Sequence, residues 1–439
     1  MPDFLSFINE ILWGSVMIYL LLGAGIWFSW QTRGIQFRYV RKFGRSLKKS
    51  LHPQPGGLTS FQALGMASSF AECSLAQLYK ERDSRGQFRG GPAWYMARGL
   101  GMRWMGVLFS ILLLLAYGFI FNTVQANSVA HALRYAFDLP AAVSGGVLAV
   151  VVLLAILRGL RGVARLMQWI VPFMALLWIA TSLLIGLWHI TALPTIFATI
   201  FRCAFGWQEA AAGAVGYTIS QALTSGFQRG MFSNEAGMGS SPNAAAAAAS
   251  WPPHPAAQGI VQMIGVFIDT IVICTASAII VMLAPRPDNE YTLNGIQDLQ
   301  HAMSMLVGGW GAGFIALIVL LFAFSSIVAN YVYAENNLVF LRLDKPRYIW
   351  GLRILTVLMV LLGTMVSLPV VWQSADIIMA LMAMTNLTAI LLLSPTVRII
   401  ASDYLRQRRL GIQPAFDATR YPDIDQQLAP GAWNELPRE

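Results

Sequence analysis

The sequence predicts an all-α protein that crosses a membrane many times. Hydrophobic residues make up 56% of the chain and charged residues only 12%, whereas a soluble domain carries about 25% charged residues. The mean hydropathy is +0.58. Several apolar segments approach the ~20 residues that a membrane-spanning helix needs. They are residues 11–30, 104–121, 141–157, 167–188, 259–283, 309–331, 349–368 and 375–393.

Two more polar segments are also long enough to cross the membrane. Residues 61–79 and 210–228 contain Ser, Gln and Gly, and the first also contains Glu72. Because polar side chains are costly next to lipid, we expect both segments to face protein or water. The sequence thus predicts ten spans within a transmembrane domain at residues 1–395, followed by a cytoplasmic tail at residues 396–439.

The distribution of Lys and Arg predicts the orientation in the membrane. Residues 34–50, 159–165 and 334–347 contain basic clusters, so we expect these loops to be cytoplasmic. The N-terminus is then outside and the C-terminus cytoplasmic, in the cell inner membrane. Such an arrangement needs an odd number of spans. Moreover, basic loops flank residues 61–79 on both sides, which a single crossing does not allow. Either this segment re-enters the membrane without crossing it, or a second crossing is absent; we expect that the chain is one helix short.

Composition also excludes several classes of function. The formal net charge of +9 is explained by basic cytoplasmic loops, so we expect no nucleic-acid partner. The three cysteines have no paired spacing and the five histidines no ligand spacing, so we expect neither a disulfide nor a metal centre. Because no nucleophile, base and orienting group share a motif, we expect neither an enzyme nor an enzyme cofactor.

One polar stretch, RGMFSNEAGMGSSPNAAAAAAS at residues 229–250, interrupts the apolar pattern. Its glycines predict irregular backbone, with Ser241 as the N-cap of a following helix and Pro242 at the first helical position. The start of such a helix attracts anions, and in transporters it faces a substrate carboxylate. The alternative is an ordinary capped helix in a cytoplasmic loop.

Several stretches of the chain resemble the alanine or glycine:cation symporters, also called the sodium:alanine symporter family. The resemblance implies a five-plus-five inverted-repeat fold of the leucine-transporter type, with an extra helix. It also implies symport of alanine or glycine with Na⁺, or sometimes H⁺. The stretches are FAECSLAQLYKERD (70–83), FRGGPAWYMARGLG (88–101), VQANSVAHAL (124–133), FQRGMFSNEAGMGSSPNAAAAAA (227–249), FIDTIVICTASA (267–278) and YVYAENNL (331–338).

The chain departs from the family pattern after FQAL at residues 61–64. Family members continue there through a broken helix with a G-[ST]-G-N motif, whereas here Leu64 is followed directly by Gly65. The resemblance implies that about one helix is missing, with half of the substrate and sodium site. Two functions stay open: sodium-coupled symport by alternating access, and a non-transporting remnant of the same family.

The candidate site residues each have a structural alternative. The resemblance implies that a substrate contacts Gln125, Asn127, Gly237, Gly239, Ser240 and Ser241. In the structural alternative, Gln125 and Asn127 form hydrogen bonds with neighbouring backbone groups at a helix end. Ser325 and Ser326 supply hydroxyl ligands to Na⁺, or serve helix packing.

Two acidic residues lie within predicted spans. Asp269 is expected to make a polar contact between helices rather than to bind an ion. Glu72 is expected to extend towards water, or to pair with Arg229.

Overall fold

The computed structural model describes residues 2–36, 65–83, 86–204, 215–284 and 295–433. Most of the predicted loop 34–50, the junction at Leu64 and the first residues of the predicted segments 61–79 and 210–228 lie outside these ranges. Within them the chain is almost entirely helical. A two-residue antiparallel pair joins β1 (Glu81–Arg82) to β2 (Phe88–Arg89).

The helices before residue 205 are numbered in chain order. They are α1 (Pro2–Ile11), α2 (Met17–Gln31), α3 (Gly65–Leu78), α4 (Pro92–Arg98), α5 (Arg103–Leu113), α6 (Phe121–Phe137), α7 (Ala141–Ile156), α8 (Gly159–Trp188) and α9 (Leu193–Ala204). Short π-helical segments at Leu12–Val16 and Leu114–Ile120 connect α1 to α2 and α5 to α6.

The remaining helices follow the second gap in the described chain. They are α10 (Val215–Asn234), α11 (Ser241–Ala247), α12 (Pro255–Phe267), α13 (Thr275–Leu283), α14 (Ile296–Val307), α15 (Gly311–Phe340), α16 (Pro346–Gly363), α17 (Leu368–Leu392), α18 (Ser394–Arg409) and α19 (Pro422–Asp425). A π-helical segment at Ile268–Cys274 joins α12 to α13.

Seven helical stretches among the described residues are long and apolar enough to cross a membrane. They are Phe4–Gln31, Arg103–Phe137, Arg165–Trp188, Pro255–Leu283, Gly311–Phe340, Pro346–Gly363 and Pro369–Leu392. Ala141–Ile156 is a shorter apolar helix at the remaining predicted span. The predicted all-α, polytopic membrane fold is thereby confirmed.

Two of the loops expected from the sequence fall wholly or partly on helices. α8 includes residues 159–165, which were expected to form a loop. α15 continues past Tyr331 to Phe340, because the polar side chains of Asn336 and Asn337 find partners inside the protein. The expected loop at residues 334–347 is reduced to the short connection between α15 and α16.

α3 lies at the centre of the protein. Every described side chain from Met66 to Lys80 is buried, as expected for a polar segment that faces protein. It packs against α12, where a Cβ on Gly259 would clash with the Ser74 hydroxyl oxygen and lie 2.7 Å from the Phe70 carbonyl oxygen. Small residues therefore let these two backbones approach closely, as in other membrane helix pairs.

The chain after α18 folds back onto the end of α3, and we call residues 416–433 the C-terminal clamp. Trp433 donates its indole N–H to the carbonyl oxygen of Leu78 at 3.1 Å, and the Tyr79 hydroxyl donates to Gln427 at 2.7 Å. The Lys80 ammonium lies 4.6 Å from the Trp433 ring centroid. The clamp is thus attached mainly through aromatic rings and single hydrogen bonds.

Candidate substrate pathway

The backbone between α10 and α11 is irregular, as the sequence predicts, and we call residues 235–240 the helix break. Glu235, Gly237 and Gly239 have φ angles of 57°, 82° and 89°. A Cβ on Gly239 would lie 2.8 Å from the Phe109 ring and 2.9 Å from Asn386 Cγ. Glycine is therefore required at this position both by the left-handed backbone and by the lack of space.

The start of α11 differs from the predicted cap. Ser240, not Ser241, is the N-cap residue, its side chain makes no capping hydrogen bond, and Pro242 is the second helical residue. The reason is the Glu235 carboxyl group, which attracts both hydroxyls: Ser240 donates to Glu235 Oε2 at 2.8 Å and Ser241 at 3.3 Å. The two hydroxyls thus face a protein carboxyl group.

Glu72 of α3 holds the helix break from the opposite side. The Gly237 N–H donates to Glu72 Oε1 at 3.0 Å, and the Asn386 amide donates to Glu72 Oε2 at 2.7 Å and to the Gly237 carbonyl oxygen at 3.0 Å. The Tyr95 hydroxyl donates to the Asn386 carbonyl oxygen. These contacts join α3, α4, the helix break and α17.

Both expectations for Glu72 are wrong. Its side chain is completely buried, so it does not extend towards water, and its partners are backbone and amide groups. Arg229 instead forms a salt bridge with Asp376 and lies 4.8 Å from the Trp372 ring centroid. Glu72 pairs with Asn386 because α17 packs beside α3 and places this amide next to the carboxyl group.

An asparagine cluster, formed by Asn243, Asn336 and Asn337, fixes α11 against α15. The Asn243 side-chain oxygen accepts from Asn336 at 2.7 Å and from Asn337 at 3.0 Å. Asn336 also donates to the Gly90 carbonyl oxygen at 2.7 Å, and Ser110 donates to Asn337 at 3.0 Å. Because these amides are buried, each hydrogen bond restricts how α11 can sit against its neighbours.

Gln125 and Asn127 lie on α6. The Asn127 amide donates to the carbonyl oxygens of Gly363 at 2.9 Å and Val366 at 2.8 Å, at the end of α16. This arrangement agrees with the alternative of satisfied backbone at a helix end. Gln125, two residues before Asn127, is half-buried.

Ser325 and Ser326 lie in the middle of α15. The Ser325 hydroxyl donates to the Phe322 carbonyl oxygen at 2.8 Å and lies 3.8 Å from the sulfur of Met174 on α8. Ser326 is half-buried. Gly237, Gly239 and Ser240 thus lie in the helix break and Ser241 begins α11, while the serine pair lies where α15 meets α8.

Asp269 makes the expected polar contact between helices. The Ser233 hydroxyl of α10 donates to Asp269 Oδ2 at 2.5 Å, in the π-helical segment between α12 and α13. The same hydroxyl oxygen lies 3.5 Å from the Cys274 sulfur. A polar group in this span is therefore matched by one on the helix beside it.

Sequence reasoning missed Asn386 and gave no role to Asn336 and Asn337. Asn386 is an amide in the apolar segment 375–393, and such a residue in a membrane span is a signal of function or of a polar contact. The paired asparagines lie in the YVYAENNL stretch. The signal was present in all three, but the partner of each lies far away in the sequence.

Comparison with known proteins identifies the family. The profile described as "Sodium:alanine symporter family" matches residues 1–64 and 63–418. The chain belongs to this family. It is 64% identical to an uncharacterized transporter of Escherichia coli K12, YaaJ, over the full length of both proteins. It is 38% identical to the probable sodium/glutamine symporter GlnT of Bacillus subtilis, over 95% of this chain and 92% of GlnT.

A third relative is archaeal. The chain is 33% identical to the sodium/alanine symporter AgcS of Methanococcus maripaludis, over 90% of this chain and 96% of AgcS. The family and the names of these relatives are those of membrane transporters. The names of these relatives lend no support to a non-transporting remnant.

The comparisons also bear on the junction at Leu64. The alignment with the Escherichia coli relative covers 476 positions, 37 more than the 439 residues of this chain. The two segments matched by the family profile meet at residues 63 and 64. The relative therefore contains residues without a counterpart here, and the family match is interrupted where the sequence analysis expects a missing segment.

Proposed function

We propose that this protein is a symporter of a small neutral amino acid, alanine or glycine, with Na⁺ as the coupling ion. The observation that carries the proposal is the helix break, because transporters use interrupted helices to offer backbone groups to a substrate and its coupling ion. Family membership and the name of the archaeal relative support the substrate class and the ion.

The substrate contacts that we propose start from the helix break. Gly237 and Gly239 offer backbone groups, and Ser240 and Ser241 offer hydroxyls. In the conformation described, Glu72 and Asn386 already bind the N–H and the carbonyl oxygen of Gly237. A substrate that uses these two backbone groups must therefore replace protein groups, so this conformation represents a closed state of the pathway.

The remaining predicted residues complete the proposal. Gln125 and Asn127 contact the substrate, which requires that Asn127 release the carbonyl oxygens of Gly363 and Val366, and Ser325 and Ser326 bind Na⁺. The protein lies in the inner membrane with its N-terminus outside and its C-terminus cytoplasmic, since basic residues favour the cytoplasmic side.

Uptake into proteoliposomes tests the proposal. Purified protein is reconstituted, and radiolabelled alanine uptake is measured with an inward Na⁺ gradient, with choline replacing Na⁺ as the control. Glycine and glutamine serve as competitors. We expect Na⁺-dependent alanine uptake that excess glycine inhibits; alanine uptake that is identical in choline would contradict sodium coupling.

A second protein in the same experiment tests the remnant alternative. It carries the residues of the Escherichia coli relative that align between Leu64 and Gly65, inserted at that junction. Uptake by both proteins supports the proposal for the natural chain. Uptake by the extended protein alone would show that the natural chain is a non-transporting remnant.

The serine pair is tested by Ser325→Ala combined with Ser326→Ala. We expect a higher Na⁺ concentration for half-maximal uptake with unchanged competition by glycine, because the hydroxyls contact the ion and not the amino acid. Ser277→Ala is the matched control, since its hydroxyl also donates to a carbonyl oxygen of its own helix. Equal Na⁺ dependence in all three proteins would exclude the pair from the sodium site.

A further inference from the structure

A cavity of about 270 Å³ lies between the end of α2 and the last turns of α18. Arg33, Arg406 and Arg409 line it, together with Ser402 and Leu405. It is separate from the helix break, and nothing in the proposed transport cycle uses it. Three guanidinium groups around one small cavity form a site of strong positive charge.

Asp403, the acidic partner of Arg406, already accepts hydrogen bonds from other residues. Arg406 donates to Asp403 Oδ1 at 2.6 Å, but the same carboxylate also accepts from Gln407 at 2.8 Å and from His254 at 3.2 Å. Arg33 and Arg409 make no ion pair with any described residue. The cavity therefore keeps an excess of positive charge that an anion can neutralise.

The surroundings place this cavity at the surface of the membrane. α2 ends the span Phe4–Gln31, and its last turns carry Trp27 and Trp30, which are 41% and 71% exposed with ring centroids 5.5 Å apart. Exposed tryptophans at the end of a span mark the level of the lipid headgroups. On the other side of the cavity, Leu410 is 68% exposed, so apolar surface adjoins the arginines.

We infer that this cavity binds the phosphate of an anionic phospholipid. The guanidinium groups of Arg33 and Arg409 bind the phosphate oxygens, since planar guanidinium groups match phosphate geometry, and Arg406 adds charge behind them. Trp30 and Leu410 lie against the acyl part of the lipid. Basic cavities between membrane helices recognise lipid headgroups in this way. Free inorganic phosphate shares the headgroup chemistry but gains nothing from the apolar surroundings.

Lipid binding to the full-length protein in detergent tests the inference. Native mass spectrometry counts bound phosphatidylglycerol, phosphatidylcholine and inorganic phosphate for the natural protein and for Arg33→Gln with Arg409→Gln. A basic residue at a membrane surface contributes roughly a fivefold change in binding, so we expect roughly 25-fold weaker phosphatidylglycerol binding in the double variant. The natural protein should prefer phosphatidylglycerol to phosphatidylcholine.

Two further variants keep the test selective. Arg408→Gln removes an exposed charge from the same helix that does not line the cavity, and we expect at most the roughly fivefold effect of one surface charge, well below that of the double variant. Arg33→Lys with Arg409→Lys keeps the charge but loses the planar guanidinium, so its binding should fall between those of the natural protein and the glutamine double variant. Equal loss in Arg408→Gln would overturn the inference, as would equal binding of both lipids. Saturable binding of inorganic phosphate without a preference for phosphatidylglycerol would also overturn it and identify a free-phosphate site.

Discussion

The helix break and the C-terminal clamp both close on α3, but different chemistry holds them there. The helix break meets the middle of α3 at Glu72. This buried carboxyl group accepts hydrogen bonds from the Gly237 N–H and from the Asn386 side-chain amide. The clamp meets the end of α3, where Trp433 and Gln427 bind the last backbone carbonyl and Tyr79. One region is held by a connected network of hydrogen bonds, and the other by aromatic packing with single hydrogen bonds.

The difference indicates how each region responds to change. In the network around Glu72, a single amide serves several buried groups, so its loss leaves more than one group unpaired. In the clamp each hydrogen bond to α3 or Tyr79 serves one pair, so we expect its loss to loosen a local segment while the helices stay packed. We therefore expect substitutions in the helix break to affect the whole fold and substitutions in the clamp to affect the tail.

The largest effect is expected for Asn386→Leu. This change removes the partner of Glu72, of the Gly237 carbonyl oxygen and of the Tyr95 hydroxyl, and each unpaired buried group costs about 1–3 kcal/mol. We expect a large loss of monodisperse protein in size-exclusion chromatography. Thr388→Val on the same helix is the control, because its hydroxyl is exposed. Equal yields for both variants would show that the network does not support the fold.

A smaller but still large effect is expected for Gly239→Ala. The left-handed backbone costs a residue with a side chain about 1–2 kcal/mol, and the contact with Phe109 and Asn386 adds about 1–3 kcal/mol. Gly411→Ala separates the two terms, because Gly411 has φ 74° but open space around its Cβ position. Thermal unfolding in detergent should show a larger loss for Gly239→Ala; equal losses would contradict the close contact.

In the clamp, Trp433→Ala should release the tail without unfolding the protein. The variant loses the hydrogen bond to Leu78 and the ring beneath Lys80, at a cost of about 3 kcal/mol confined to residues 416–433. We expect rapid proteolysis within residues 416–433 and an unchanged melting temperature of the helical bundle. Trp251→Ala is the control, since Trp251 is 65% exposed. A parallel fall in bundle stability would show that clamp and bundle form one unit.

The smallest effect is a pH dependence at His254, which packs beside the clamp. Its Nδ1 accepts from the Ala256 N–H at 3.1 Å, so neutral His254 donates from Nε2 to Asp403. Burial lowers the pKa of His254, although Asp403 opposes this shift. Protonation of His254 therefore favours the detached clamp. The contribution of His254 to the stability of the attached clamp is complete above about pH 6.5, the pKa of histidine in an unfolded chain. This contribution decreases as the pH falls towards the lower pKa of His254 in the folded protein.

Asp403 adds a second step at lower pH. Burial raises its pKa, but hydrogen bonds from His254 and other donors prevail and lower the pKa to about 2. Its contribution is complete above about pH 4 and is lost between about pH 4 and pH 2. Both pH-dependent steps are followed by the fluorescence anisotropy of a dye attached to residue 423 in the Asp423→Cys variant. We expect His254→Gln to abolish the step near pH 6, and a step that persists in this variant would assign it to another group.

The sequence predicts most of the helices because hydrophobicity and length are local properties. Eight apolar segments fall on helices, and the glycines of residues 237–239 predict the interrupted backbone, since left-handed φ angles favour glycine wherever it lies in a fold. The errors occur where local preference is weak. Ser240 rather than Ser241 is the N-cap because the Glu235 carboxyl group, five residues earlier, binds both hydroxyls.

Sequence alone determined the membrane class, the approximate spans and the place of the helix break, and the motifs at residues 227–249 pointed to the family. Only the tertiary structure decided that Glu72 binds Asn386, that Arg229 binds Asp376 and that the tail covers the end of α3. The physical reason is that apolar helix surfaces are nearly alike in a membrane, so hydropathy does not specify which helices are neighbours. That choice depends on small residues such as Gly259 and on buried polar groups far apart in the chain, which become partners only after the helices have packed.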